Sequence, residues 1–174
     1  NSFESNLTNT FPKSNTIFFS ICQLYLKKTS KTNMIFEEKR YVMILGIGID
    51  TIEIARVLRA CERSSHFVER TFTTKEMAQF AEHKVRKASD FAAKEAVAKA
   101  FRTGFYQCEP REIEVLRGEL EEPYVRLYGK AKKIAKRLGI TQIHISITNT
   151  KNEVTAFVVA TDEKEAALQP LYDE

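Results

Sequence analysis

Three residues carry the most suggestive chemistry in this sequence: Asp50, Glu95 and Lys99. Asp50 follows an apolar, strand-like run, whereas Glu95 and Lys99 stand four positions apart in an alanine-rich stretch that is typical of a helix. Residues four apart lie on one helix face, one turn from each other. Two carboxylates from separate elements and a nearby ammonium are the groups that a Mg²⁺–phosphate site needs. The pattern predicts such a site if the fold brings strand and helix together.

Each of these residues also has an ordinary structural interpretation. An exposed Glu95–Lys99 pair would add only about 0.3–0.5 kcal/mol to helix stability. Asp50, its neighbour Thr51, or both could cap the helix that follows the strand. The position of Asp50 alone does not decide between capping and ligand binding.

The elements that would position these residues can be predicted from composition. The alanine-rich helix covers 91–101 and is expected to end near Gly104, which suits a left-handed cap. Ala has the highest helix propensity and a small side chain, so this helix can pack its backbone close to a sheet. The apolar run 43–50 contains Gly46 and Gly48, and glycine inside a strand often marks such a close approach.

The rest of the chain alternates between short helical and strand-like patterns. A capping box at Thr73 and Glu76 predicts a helix start, and a basic cluster over 83–87 is expected to precede the alanine-rich helix. We also predict a helix over 52–62, a hairpin of 113–116 and 124–128, an amphipathic helix over 129–138, and a hairpin of 143–148 and 154–160. This order predicts an α+β fold, with an antiparallel sheet packed against the alanine-rich helix.

Composition limits the class of protein. The chain has 174 residues, 43% hydrophobic and 29% charged, which is typical of a globular domain with a real core. Its net charge of +4 favours anionic partners. The three cysteines, Cys22, Cys61 and Cys108, are odd in number and widely spaced, so they suggest neither a disulfide framework nor a zinc site. A cytosolic, reducing location is the simplest expectation.

The first 42 residues differ from the rest and are predicted to be an extension outside the domain of 43–162. Their apolar run, 17–26, is too short to span a bilayer and lacks the basic start of a secretory signal. Upstream translated sequence is the favoured interpretation, since both Met34 and Met43 could be starts. A short amphipathic segment that docks on the domain or on a membrane surface is the alternative. The charged stretch 163–174 is expected to be a peripheral tail.

Taken together, the segments resemble the holo-acyl-carrier-protein synthase family, the small trimeric branch of the 4′-phosphopantetheinyl transferases. The matching segments are GIGIDTIEIAR at 46–56, FVERTFT at 67–73, FAAKEAVAKAF at 91–101, PYVRLYG at 123–129 and HISIT at 144–148. Five segments in family order make the match specific across the whole predicted domain. The resemblance implies the 4′-phosphopantetheinyl transferase fold and a trimer with sites between subunits.

The resemblance also implies a reaction. A serine of an apo acyl carrier protein attacks the β-phosphate of coenzyme A, the phosphopantetheine arm moves to that serine, and 3′,5′-ADP leaves. By family analogy, Asp50 and Glu95 hold Mg²⁺, which neutralises and orients the diphosphate. Glu95 could also accept the serine proton, and Lys99 would balance charge on the leaving phosphate. Fatty acid biosynthesis in the cytoplasm is the implied setting.

Further residues carry over by position. Gly104, Pro123, Asn149 and Thr150, with Lys99, are expected to bind coenzyme A. A basic ridge on the first predicted helix, with Arg56 first and Arg63 second, is expected to contact the acidic helix of the carrier protein.

Several positions depart from the family pattern. The family usually has His where Asn149 stands, Arg where Asp90 stands and Gly where Arg102 stands, and Glu121-Glu122 replaces Gly-Lys before Pro123. Asn149 can donate to a phosphate oxygen but cannot carry charge. Asp90 replaces a phosphate-binding cation with an anion, for which Lys87 or Arg86 could compensate.

Two other functions are alternatives to transfer. The Asn149 and Asp90 departures favour a coenzyme A or nucleotide binding module with weakened or lost catalysis. A nucleic-acid binder would place aromatic residues within a basic patch, but the aromatics here fall mostly on apolar faces. We therefore expect no nucleic-acid partner and no membrane partner.

Overall fold

The computed structural model describes residues 42–80 and 83–163. The predicted extension over 1–42 and the tail over 163–174 lie almost entirely outside the described residues, so the domain boundaries stay predictions. None of the described helices combines the length and the apolar composition that crossing a bilayer would require.

The described ranges contain strands and helices in the predicted order. In sequence these are β1 (Ile44–Glu53), α1 (Ile54–Arg63), α2 (Ser65–Thr71), α3 (Thr74–Gln79), α4 (Lys84–Ala100), β2 (Ile113–Arg117), β3 (Pro123–Leu127), α5 (Gly129–Leu138), β4 (Gln142–Asn149) and β5 (Glu153–Thr161). Short 3₁₀ turns cover Gly104–Tyr106 and Pro110–Glu112.

The strands form two antiparallel sheets. The larger sheet has the order β1-β5-β4, so the first strand pairs with the last, and β2 pairs with β3 in a separate hairpin. One face of the larger sheet packs on α4, where alanines such as Ala92 and Ala96 are fully buried. This arrangement confirms the predicted α+β fold and the predicted packing of the alanine-rich helix on an antiparallel sheet.

The two glycines of β1 allow the strand to contact the backbone of α4 directly. A Cβ on Gly46 would lie 2.2 Å from the carbonyl oxygen of Ala100, and one on Gly48 would lie 1.8 Å from that of Ala96. Real Cβ atoms do not approach backbone oxygens so closely, so only glycine fits at either position. The prediction of a close backbone approach is confirmed.

Helix α4 differs from the prediction at both ends. The basic cluster over 83–87 does not precede the helix: His83 is its N-cap residue and 84–87 form its first turn. Ala88, Ser89 and Asp90 continue the helix as buried residues. The helix ends at Ala100, and the left-handed residue just beyond it is Arg102, with φ 61°. The predicted cap at Gly104 is wrong: Gly104 also has a positive φ, 55°, but it begins a separate 3₁₀ turn.

Strand β1 is longer than predicted, and this removes the capping interpretation of Asp50. The pairing with β5 continues from Asp50 opposite Ala156 to Glu53 opposite Glu153, so Asp50 lies inside the strand. The N-cap residue of α1 is Glu53, whose side chain makes no capping hydrogen bond. The carboxylate of Asp50 is therefore free for another role.

Candidate active site

The fold brings Asp50, Glu95 and Lys99 together where β1 crosses α4. Gly46 lies against Ala100 and Gly48 lies against Ala96, so strand and helix run in opposite directions. Asp50 is the next inward-facing residue of β1, and it therefore lies one helical turn further back, beside the part of α4 that carries Glu95.

Lys99 bridges the helix and the strand. Its Nζ lies 2.8 Å from Oδ1 of Asp50 and donates to the carbonyl oxygen of Ile49 at 3.0 Å. The Lys99 side chain is half exposed, whereas that of Asp50 is 14% exposed. The second carboxylate oxygen of Asp50, Oδ2, is buried and has no hydrogen-bond partner within the described part of the chain. A buried oxygen without a donor is costly unless a ligand or an ion contacts it.

Glu95 interacts electrostatically with both Asp50 and Lys99. Burial of its half-buried carboxyl raises its pKa, the negative charge of Asp50 raises it further, and the positive charge of Lys99 lowers it. The two carboxylates therefore repel each other, and a cation between them would relieve that repulsion. The described residues contain no group of three or more His, Cys, Asp or Glu side chains able to hold a metal. This site can thus supply two hard oxygen ligands, which suits an ion that keeps several waters, such as Mg²⁺.

A cavity of about 290 Å³ lies between the start of α4, the β2–β3 turn and the end of β4. It is lined by His83, Val85, Arg86, Ser89, Arg117, Glu121, Pro123, Ile147 and Asn149. Two of the residues predicted to bind coenzyme A, Pro123 and Asn149, therefore line the same cavity. Both arginines of the lining are ion-paired, Arg86 with Glu121 and Arg117 with Asp90.

The other three predicted coenzyme A ligands lie outside this lining: Lys99 contacts Asp50, and Thr150 and Gly104 lie elsewhere. The Thr150 hydroxyl accepts hydrogen bonds from the backbone N–H groups of Asn152 and Glu153, at 3.3 and 3.1 Å, and so holds the β4–β5 turn. Gly104 lies beyond the opposite end of α4. The contact of these three residues with coenzyme A stays a prediction.

Asp90 does not face the cavity as an unpaired anion. It is 2% exposed, and its Oδ1 accepts a hydrogen bond of 2.7 Å from Nη2 of Arg117, at the end of β2. Burial raises the pKa of Asp90 to about 7, although Arg117 pulls it downward. Sequence reasoning missed Arg117 because the pair joins residues 27 positions apart on separate elements, so no local spacing signals it.

A second buried ion pair was also missed. Lys94 and Glu76 are both fully buried, with Nζ of Lys94 2.7 Å from Oε1 of Glu76, and Nζ also donates to the carbonyl oxygens of Pro110 and Ile113. Oε1 of Glu76 accepts from the backbone N–H of Val115 at 2.8 Å. The predicted capping box at Thr73 is confirmed, and its glutamate thus also anchors α4 and β2. The alanine-rich stretch contains two lysines, Lys94 and Lys99, and nothing local to Lys94 indicates that it is the buried one.

The basic ridge is present on α1. Arg56 and Arg63 are exposed, and Arg59 between them lies 3.4 Å from Glu53. The ridge stands on the outer side of α1, whose Ile54 and Val57 are buried. Its contact with a carrier protein stays a prediction.

Comparisons with known proteins identify the family of the chain. The 4′-phosphopantetheinyl transferase superfamily profile matches residues 46–160. A holo-[acyl-carrier-protein] synthase of Lachnoclostridium phytofermentans is 50% identical over 117 residues, which cover 67% of this chain and 95% of that protein. All three site residues, Asp50, Glu95 and Lys99, fall inside the span matched by the profile.

Solved structures give the same result. The holo-[acyl-carrier-protein] synthase of Neisseria meningitidis is 33% identical, with a TM-score of 0.62, over 68% of this chain and 98% of that one. The Helicobacter pylori enzyme, solved in complex with coenzyme A, is 27% identical, with a TM-score of 0.60, over 66% of this chain and 98% of that one. With its fold, its profile match and a curated relative at 50% identity, the chain belongs to the holo-acyl-carrier-protein synthase family of 4′-phosphopantetheinyl transferases.

Proposed function

We propose that this chain transfers the 4′-phosphopantetheine arm of coenzyme A to a serine of an apo acyl carrier protein and releases 3′,5′-ADP. The observation that carries the proposal is the convergence of Asp50, Glu95 and Lys99 where β1 crosses α4. Curated relatives that the chain covers almost end to end have the same activity in their names, which supports it.

We infer that Asp50 and Glu95 hold Mg²⁺. The unpartnered Oδ2 of Asp50 and the mutual repulsion of the two carboxyl groups support this inference, because both are relieved by a hard cation. When bound, Mg²⁺ would supply Lewis-acid stabilisation of the coenzyme A diphosphate. Lys99, held beside Asp50, would place its positive charge near that diphosphate.

The chemistry that the chain's own residues contribute follows from their charge. A bond forms between the serine oxygen and the β-phosphorus, and the bond from that phosphorus to the oxygen of the departing 3′,5′-ADP breaks. Glu95 accepts the serine proton, directly or through a bound water. Lys99 donates to the oxygen on which negative charge builds as 3′,5′-ADP leaves.

We infer a homotrimer and a carrier-protein surface for the same enzyme. The face of the larger sheet that points away from α4 exposes Ile47, Ile49 and Phe157, which supports its burial against another copy. Arg56 and Arg63 present positive charge to an acidic carrier protein. The free thiols of Cys61 and Cys108 support a cytosolic location.

The test is transfer by Glu95→Gln. The chain, apo acyl carrier protein, coenzyme A and Mg²⁺ are incubated together, and the carrier protein is weighed by intact-protein mass spectrometry. We expect the variant to lose transfer by about 100-fold or more, because it loses both a negative ligand and a proton acceptor. Thermal unfolding should be nearly unchanged, since the side chain is only half buried.

The matched control is Glu69→Gln, which removes the same charge from an exposed position on α2. It should transfer normally. A fully active Glu95→Gln would refute the assignment of the site. If the unmodified chain binds coenzyme A without transferring the arm, while a known synthase is active alongside it, the protein is a binding module instead.

A further inference from the structure

The cavity between α4 and the β2–β3 turn holds a contact that the transfer chemistry does not use. Arg86, on the first turns of α4, forms an ion pair with Glu121, in the turn between β2 and β3. Nη1 of Arg86 also donates to the carbonyl oxygen of Gln79 at 3.2 Å, which holds the guanidinium group in place. The Arg86 side chain is 19% exposed, but that of Glu121 is 68% exposed, so the carboxylate is the partner that has room to turn into water.

The backbone at Glu121 is unusual. Its φ is 64°, in the left-handed region that disfavours residues with a Cβ by about 1–2 kcal/mol. Glycine would satisfy this turn without that cost, and it would place no carboxylate on Arg86. A strained residue whose side chain covers a cation in a cavity is a reason to look for a role in binding.

The charges around the cavity balance only while Glu121 is in place. Arg117 is held by the buried Asp90 and cannot move far, since its side chain is 9% exposed. Arg86 is neutralised by Glu121. If the exposed Glu121 side chain turns outward into water, the two arginines face one carboxylate and the cavity carries excess positive charge. The exposed amide of Asn149, in the same lining, adds a neutral donor.

We propose that Glu121 occupies the position of a phosphate on Arg86 in the free chain, and that a phosphate monoester displaces it. The inference rests on the proposed function because it takes coenzyme A as the ligand. The ribose phosphate of coenzyme A would enter this cavity with Arg86, Arg117 and Asn149 as donors. Glu121 is then an internal competitor that weakens phosphate binding and sets how strongly the chain prefers coenzyme A to dephospho-coenzyme A.

The test compares Glu121→Gln with Glu119→Gln in the full chain. Glu119→Gln removes the same charge from the same exposed turn but not from the cavity lining. Calorimetry measures the binding of coenzyme A, of dephospho-coenzyme A and of inorganic phosphate to each variant. We expect Glu121→Gln to tighten coenzyme A binding about three- to tenfold, to leave dephospho-coenzyme A binding unchanged, and to tighten inorganic phosphate binding. Glu119→Gln should change none of these.

The outcomes separate this inference from the proposed function. Equal effects of the two substitutions, or no change in the preference for coenzyme A while transfer is intact, would overturn the inference and leave the function standing. If no variant binds coenzyme A, the proposed function is wrong, and the binding of inorganic phosphate then tests the role of Glu121. Tighter phosphate binding to Glu121→Gln than to Glu119→Gln would then support Glu121 as a competitor, and equal binding would overturn it.

Discussion

At the scale of single residues, Asp90 shows how a fold can make a charge costly. Its carboxyl is almost fully buried, and burial raises its pKa to about 7 in spite of the guanidinium of Arg117 beside it. In the unfolded chain the same group has an ordinary pKa near 4. The folded state therefore binds more protons than the unfolded state between these two values, and stability falls as pH rises through that window.

We predict that the free energy of unfolding drops with pH at this residue. Between pH 5 and pH 7, the free energy of unfolding of the unmodified chain should fall by about 2–3 kcal/mol more than that of Asp90→Asn. Above pH 7 the difference between the two proteins should become constant. Urea unfolding at a series of pH values measures it. Parallel curves for the two proteins would show that Arg117 keeps Asp90 ionised throughout. The effect of Asp90→Asn at one pH is not informative, because the substitution also leaves Arg117 without its partner.

At the scale of elements, the contact of β1 with α4 depends on two missing side chains. A Cβ on Gly48 would meet the backbone oxygen of Ala96, which cannot move without shifting the helix. By contrast, a Cβ on Gly118 would meet only the carboxylate end of Glu122, a flexible exposed side chain.

We predict that Gly48→Ala destabilises the chain by about 3 kcal/mol, because strand and helix must separate to admit the methyl group. Gly118→Ala is the matched control and should cost less than about 1 kcal/mol. Chemical denaturation gives both values. Equal costs would mean that β1 can shift away from α4 without loss.

The same elements show what could be predicted from sequence. Strand periodicity and the glycines of β1 are local signals, so the antiparallel sheet and its close packing on the alanine-rich helix followed from them. The pairing of Asp50 with Glu95 was implied by the family resemblance. Lys94 and Glu76 are 18 residues apart and lie on separate helices, so their pairing is a tertiary contact that no local pattern specifies. The predicted start of α4 was wrong for a related reason. The helix begins at Lys84 and buries Ser89 and Asp90, and polar side chains give no sequence signal of burial.

At the scale of the whole molecule, the exposed face of the larger sheet carries an apolar patch that association with another chain would bury. Ile47 and Ile49 of β1 are more than half exposed, and Phe157, which pairs with Ile49, is 43% exposed. Three large apolar side chains in one patch are unfavourable in water.

We expect light scattering to give about three times the chain mass of 20.0 kDa for the unmodified protein. Ile47→Glu should shift the mass to that of a single chain, since it puts a charge in the apolar patch. Tyr106→Glu, at a residue that is 98% exposed and outside the sheet, is the control and should leave the mass unchanged. A single-chain mass for the unmodified protein would contradict the trimer.

The buried ammonium of Lys94 has a consequence for catalysis at a distance. Neighbouring residues on a helix project about 100° apart around its axis, so the direction of Lys94 determines the azimuth of Glu95. Glu76 and the carbonyl oxygens of Pro110 and Ile113 prevent α4 from rotating about its own axis. The position of the Glu95 carboxyl near Asp50 thus depends on a buried contact about 100° away around the helix, outside the candidate site.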